Sequence, residues 1–205
     1  MYHDTQDRRL ALAERAAAEP LWQDFREYLS LQGRGIRKAA LKHLDRFVAQ
    51  AAGWPFEDRH RFTVCVLDHL HSDEIAAPLN WKVITPTLIE WPVREPENAE
   101  AFMYLGLNHG PHAEDNLLRA LELDPGCQPA RARLCNYLMD DADFNQHHLP
   151  DYYINDPAAD LLDLAEAEAM CKGYEDTAWG RRAMEEIRMY RANAEAWLRE
   201  HPARL

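Results

Sequence analysis

Apolar residues return every three or four positions along most of the chain, and Gly or Pro interrupts the pattern at short intervals. That period is the mark of amphipathic helices rather than strands. Thr5–Ala18 is rich in Ala, Leu, Glu and Arg, all good helix formers. Pro20 restarts the chain, and Leu21, Phe25, Tyr28 and Leu29 predict the buried stripe of a second helix. Gly33-Arg34-Gly35 ends it. A third helix, Ile36–Ala52, places Ile36, Ala40, Leu44, Phe47 and Val48 on one side. Gly53-Trp54-Pro55 reads as a turn, with Pro55 set to open a helix over Phe56–Leu70. Thr85-Pro86 reads as a cap followed by Pro at the first helical position, which starts a short helix through Ile89 and Trp91; Pro92 and Pro96 mark its exit.

Glu97–Asn108, His112–Leu123 and Pro129–Asp140 are the next three helical stretches. The segment 141–157 is the least regular and reads as a long loop. Asp156-Pro157 opens a helix to about Cys171, and Asp176 or Thr177 caps a long last one. There Trp179, Ala183, Ile187, Tyr190, Ala194 and Trp197 form a core stripe. The one short strand candidate, Trp81–Thr85, has no alternating partner. The expectation is an all-α fold of about nine to ten helices packed as antiparallel hairpins in one domain spanning 1–205. It would comprise N-terminal helices 1–95, a hairpin array at 96–140, and a loop with C-terminal helices at 141–205.

The middle of the chain carries a more specific pattern. Phe102, Leu105 and Gly106 are followed by His109, then by Ala113, Leu117, Ala120 and Pro125, after which Leu134 begins the pattern again with Arg131, Cys135 and Leu138 at the flanking positions. This order of large, small and breaking residues resembles the tetratricopeptide repeat, a pair of antiparallel helices that cross at small residues. The two starts, Phe102 and Arg131, are 29 positions apart, against about 34 in the family. The missing residues fall between Gly106 and Ala113, so the first helix of the pair should stop a turn early, near Gly110. The resemblance covers some 40 of the 205 residues.

It implies an α-α superhelix that binds an extended peptide on a concave face. By the family's offsets Met103 and Leu107, then Ala132, Asn136 and Met139, would face that groove, with Asp140 beside them. Asn136 stands where carboxylate-gripping members place an Asn that bonds peptide backbone. Ala132 replaces the Lys of those members, which argues against capture of a chain-terminal carboxylate.

Composition narrows the class. Apolar residues make up 47%, enough for a packed core, and no run is long enough to span a bilayer. The start is polar with no apolar signal core behind it, so a cytoplasmic protein is expected. Cys65, Cys127, Cys135 and Cys171 show no paired spacing and read as reduced structural residues. The net charge is −12 and uneven: residues 1–61 hold 11 Lys and Arg against 9 Asp and Glu, whereas Leu134–Cys171 holds no Lys or Arg at all. Such a field disfavours general nucleic-acid binding and attracts basic partners or divalent cations.

Candidate chemistry is sparse. In the run Asn145–Asp151, His147 and His148, with Asp143 and Asp151 near in sequence, are adequate metal ligands. A metal-dependent enzyme built on them is the competing reading, although adjacent His side chains point apart on most backbones. His69 and His71 lie two apart at a helix end, where they do not converge. Arg34, Lys38, Lys42 and Arg46 recur every four residues as a basic ridge behind Gly33 and Gly35, a weak anion-site candidate without the Lys-Ser/Thr ending of a nucleotide loop. No nucleophile, dinucleotide fingerprint or cofactor site is recognisable. The sequence therefore points to a non-enzymatic interaction scaffold or adaptor without cofactor or metal, such as a bacterial immunity-type protein. Its partner-binding residues would be Met103, Leu107, Asn136, Met139, Asp140, His147 and His148.

Overall fold

The computed structural model describes residues 2–108 and 112–202, and all of its regular structure is helical. The helices are α1 (Tyr2–Ala17), α2 (Gln23–Gly33), α3 (Arg37–Ala51), α4 (Phe56–Leu67), α5 (Ala77–Leu79), α6 (Thr85–Arg94), α7 (Ala99–Leu107), α8 (Ala113–Leu123), α9 (Gln128–Gln146), α10 (Pro157–Cys171) and α11 (Ala178–Glu200). A π-turn over Asn80–Ile84 joins α5 to α6 without a break, so the eleven segments form ten helical rods. The fold is all-α. Where the sequence reads as one domain of three segments, the chain divides into two compact units, Met1–Ala113 and Glu114–Leu205. The division falls at the first residue of α8, within the repeat-like stretch of the sequence.

In the first unit α2 packs along α3, and α4 packs on α6. The Gly33–Gly35 break holds because Gly35 takes φ +74°, which Gly adopts without a Cβ penalty. Four aromatic rings surround Phe62 of α4: Trp22, Phe25, Phe47 and Trp54 lie 4.7–6.3 Å away between centroids. Two expected core positions are corrected. Trp22, not Leu21, is buried, because the 3-10 turn Pro20–Trp22 resets the phase before α2. Ile36 is 41% exposed, since it precedes α3 with non-helical dihedrals.

Thr85 is no N-cap. Its backbone N–H donates to the Asn80 carbonyl within the π-turn, and its hydroxyl donates to Asn80 Oδ1 at 3.3 Å. The wider π ring relieves the clash that Pro86 would cause in a regular helix and absorbs its missing N–H. Helix α6 then runs through Pro92 to Arg94, held by Glu90, which accepts from Arg94 Nε at 2.7 Å and Arg59 Nη2 at 2.6 Å. The helix bearing Phe102 and Gly106 ends at Leu107, with Asn108 as its C-cap; His109 and Gly110 lie outside the described residues.

In the second unit α9, α10 and α11 pack pairwise around Cys135, Met139, Ala142, Leu164, Ala167, Cys171, Ala183 and Ile187. Asp156 caps α10 by accepting from Ala158 N, and Thr177 caps α11 by accepting from Gly180 N. At Gly180 a Cβ would collide with the Tyr174 carbonyl oxygen and approach Thr177 Oγ1 to 3.0 Å. Gly180→Ala should therefore destabilise the unit by about 1–3 kcal/mol, although alanine is the better helix former. A fall in thermal midpoint followed by circular dichroism is the check, and a rise would show that the capping turn gives way freely.

Candidate functional site

Helix α9 is longer than its sequence suggests. It continues six residues past Asp140 to Gln146, so that only 147–156 of the expected 141–157 loop is irregular. The extension forms because Ala142, Asn145 and Gln146 turn inward. Asn145 and Gln146 find buried partners there. Asn145 Nδ2 donates to Asp160 Oδ1 at 2.8 Å, and Gln146 Nε2 donates to the Tyr153 hydroxyl at 3.0 Å and the Tyr190 carbonyl at 2.9 Å. Tyr153 in turn donates to Asp160 Oδ2 at 2.6 Å, and Asn155 Nδ2 donates to Asn145 Oδ1 at 2.7 Å. This network fastens the 147–156 segment to α9, α10 and α11. Burial, with Asp160 as acceptor, raises the Tyr153 pKa.

The outer face of the extended α9 meets α11 across a cavity of about 370 Å³. Ala132, Asn136, Met139, Asp140 and Asp143 line it from α9; Trp179, Arg182, Ala183, Glu186 and Tyr190 line it from α11. They recur every three or four residues, which puts each set on one helix face. The walls are tied together: the Tyr190 hydroxyl donates to Asp143 Oδ1 at 2.9 Å, and burial together with that carboxylate pushes Tyr190 up to about 12. Arg182 Nε donates to Glu186 Oε1 at 2.8 Å. The lining thus holds three carboxylates against one cation that is already engaged. Outside it, burial and the neighbouring Asp160, Asp141 and Glu166 raise the Asp163 carboxyl above its ordinary value. Burial is the larger cause, and the negative neighbours add to it.

Of the residues singled out by sequence, Asn136, Met139 and Asp140 come together in this cavity. Met103 and Leu107 are half-buried residues of α7 in the first unit. His147 and His148 follow the end of α9 and are exposed. His147 Nδ1 lies 2.6 Å from the Phe144 carbonyl, as a donor; the two imidazoles meet tilted with centroids 3.8 Å apart, and His148 stacks on Tyr152 at 4.6 Å. With Phe144 they make a surface ladder of four rings. Among the described residues no three His, Cys, Asp or Glu side chains gather as a metal-ligating group.

Arg34, Lys38 and Lys42 are exposed. The ridge closes at Arg46, whose Nη2 donates to Asp24 Oδ1 at 2.7 Å, and His43 Nδ1 lies 2.7 Å from the same oxygen. Arg46, helped by His43, holds the Asp24 carboxyl below its usual range. His69 Nδ1 bonds the Cys65 carbonyl at 2.7 Å, and His71 belongs to a capping box with Glu74. Both are local structural roles.

Sequence reasoning did not single out the α11 wall of this cavity. Trp179 and Tyr190 read as core stripe, yet both are only half-buried, and Glu186 reads as one more polar helix residue. A signal was present in the spacing of residues 179, 182, 183, 186 and 190, which keeps charged and apolar residues on one face. No helix among the described residues is long and apolar enough to cross a membrane. No family model matches the chain, and no curated protein or solved structure matches it.

Proposed function

We propose that the chain is a non-enzymatic recognition scaffold, a degenerate helical-hairpin protein whose second unit holds a basic segment of a partner protein between α9 and α11. The observation that carries this reading is the lining of the cavity: Asp140, Asp143 and Glu186 around Asn136, Met139 and the Trp179 and Tyr190 rings. Carboxylates beside aromatic faces suit Lys and above all Arg, whose planar cation pairs bidentately and stacks. Asn136 offers both a donor and an acceptor to a peptide backbone. A cavity of this size accepts a few side chains, not a folded surface. A cytoplasmic adaptor or an immunity-type protein that masks a basic partner is the biological form this chemistry fits.

Trp179 lies in the lining, so its fluorescence reports occupancy. Titrating a short arginine- and lysine-rich peptide should change that emission, and raising the salt concentration should weaken binding as the charges are screened. An Asn136→Ala, Met139→Ala double variant should lose about tenfold in affinity, or about 1.4 kcal/mol. Asp140→Lys should lose more. Binding that survives both changes would reject the groove, and an acidic peptide of equal length binding as well would reject its charge logic.

A further inference from the structure

Cys135 of α9 and Cys171, the last residue of α10, lie side by side in the core of the second unit. Their sulfurs are 3.7 Å apart and both residues are 0% exposed. The Cys135 thiol also points at the Ala167 carbonyl, 3.6 Å away. The other two cysteines stand elsewhere: Cys65 in the first unit, and Cys127 at the N-cap of α9. We propose that Cys135 and Cys171 form a latent disulfide, closed by a hydroperoxide and reopened by a dithiol reductant, that staples α9 to α10. This proposal is independent of the groove reading.

The contact lies within about 2 Å of the bonded S–S distance. Cys171 is the sulfur that reacts first, since it ends α10 and adjoins the turn Lys172–Thr177, whereas Cys135 sits within α9. Its thiolate attacks a peroxide oxygen: the S–O bond forms, the O–O bond breaks, and the departing oxygen takes a proton and leaves as water or, from an organic peroxide, as an alcohol. The Cys135 sulfur then attacks the Cys171 sulfenic acid. The S–S bond forms, the S–O bond breaks, and the leaving hydroxide takes the Cys135 proton as water. Two thiols lose two electrons and the peroxide gains them.

Burial makes this slow. It raises both thiols, Cys135 to about 12, so thiolate is scarce and reaction waits on local opening of the turn after α10. The pair therefore answers sustained oxidant rather than a brief pulse. Closing a loop between residues 36 positions apart restricts the unfolded chain and stabilises the unit.

The test treats the full chain with hydrogen peroxide in the absence of denaturant, then alkylates it with N-ethylmaleimide in denaturant and maps the peptides. The expected product joins the Cys135 and Cys171 peptides while Cys65 and Cys127 are alkylated. It forms faster at about pH 9 than at about pH 7, as a thiolate reaction must. The thermal midpoint rises by about 5 °C or more and returns on addition of dithiothreitol. Cys171→Ser shows neither the linked peptide nor the shift. The proposal is overturned if both cysteines are alkylated after treatment, if either is joined to Cys65 or Cys127, or if Cys171 passes to sulfinic acid while Cys135 stays free. Because the map is made on the wild-type chain, it decides the matter even where Cys171→Ser folds poorly.

Discussion

Phe62→Ala should lower the stability of the first unit by about 3–5 kcal/mol, the range for an aromatic side chain deleted from a core that collapses poorly around the hole. Phe62 is 0% exposed and stands at the junction of four elements. It meets Trp22 edge-on at 5.3 Å and Phe25 at 5.0 Å, tilts against Phe47 at 4.7 Å, and faces Trp54 of the Gly53–Pro55 turn at 6.3 Å. Rings are stiff and cannot flow into the vacancy, and each lost edge-to-face pair adds to the loss of buried area. Phe62→Leu keeps most of the volume and should cost only about 1–1.5 kcal/mol. Urea unfolding followed by tryptophan fluorescence is the measurement, since Trp22 and Trp54 touch the altered site. A loss for alanine no larger than that for leucine would mean that the cluster repacks, and that Phe62 is not its hub.

The same cluster shows what was legible in the sequence. Phe25, Phe47 and Val48 could be assigned to the core because each lies on a helix whose phase is set by a visible break, at Pro20, Gly33–Gly35 or Gly53–Pro55. Trp22 could not, because a three-residue 3-10 turn shifts the phase by an amount the pattern does not announce. Thr85-Pro86 misled for a related reason. A hydroxyl before Pro is the usual sign of a helix start, and only the π-turn ahead of it allows the rod to continue. Caps that make a local hydrogen bond were readable, Asp156 to the residue and Thr177 as one of two adjacent candidates.

The candidate site was half legible. Asn136, Met139 and Asp140 were singled out through the offsets of the repeat resemblance, while the facing wall of α11 depends on how two distant stretches dock, which no local pattern encodes. The end of α9 was hidden by chemistry: Asp141–Gln146 reads as part of a polar loop, and two of its polar residues are in fact core. Buried amides look like surface until their partners are known.

Those partners support the second large effect. Asp160→Ala should destabilise the second unit by about 3–5 kcal/mol, the scale for removing one member of a buried charged network. Asp160 is 3% exposed and lies in the first turn of α10, where the helix dipole favours its charge. Its two oxygens accept from Asn145 Nδ2 at 2.8 Å and from the Tyr153 hydroxyl at 2.6 Å. Without it both donors are stranded away from water, and the Tyr153 hydroxyl, which also accepts from Gln146, loses the carboxylate that orients it. Asp160→Asn keeps the shape but offers one acceptor for two donors, so it should fall between wild type and alanine. The Tyr153 ring lies 6.1 Å from Trp197, so urea titration read through tryptophan emission follows the site directly. A Tyr153→Phe, Asp160→Ala cycle separates the pair from the general cost of a hole. If the two changes are additive within about 0.5 kcal/mol, the hydroxyl and the carboxylate are not coupled, and apolar packing alone pins the 147–156 segment. If they are strongly non-additive, the hydrogen bond holds that segment, and through Gln146 it also fixes the end of α9 that frames the groove.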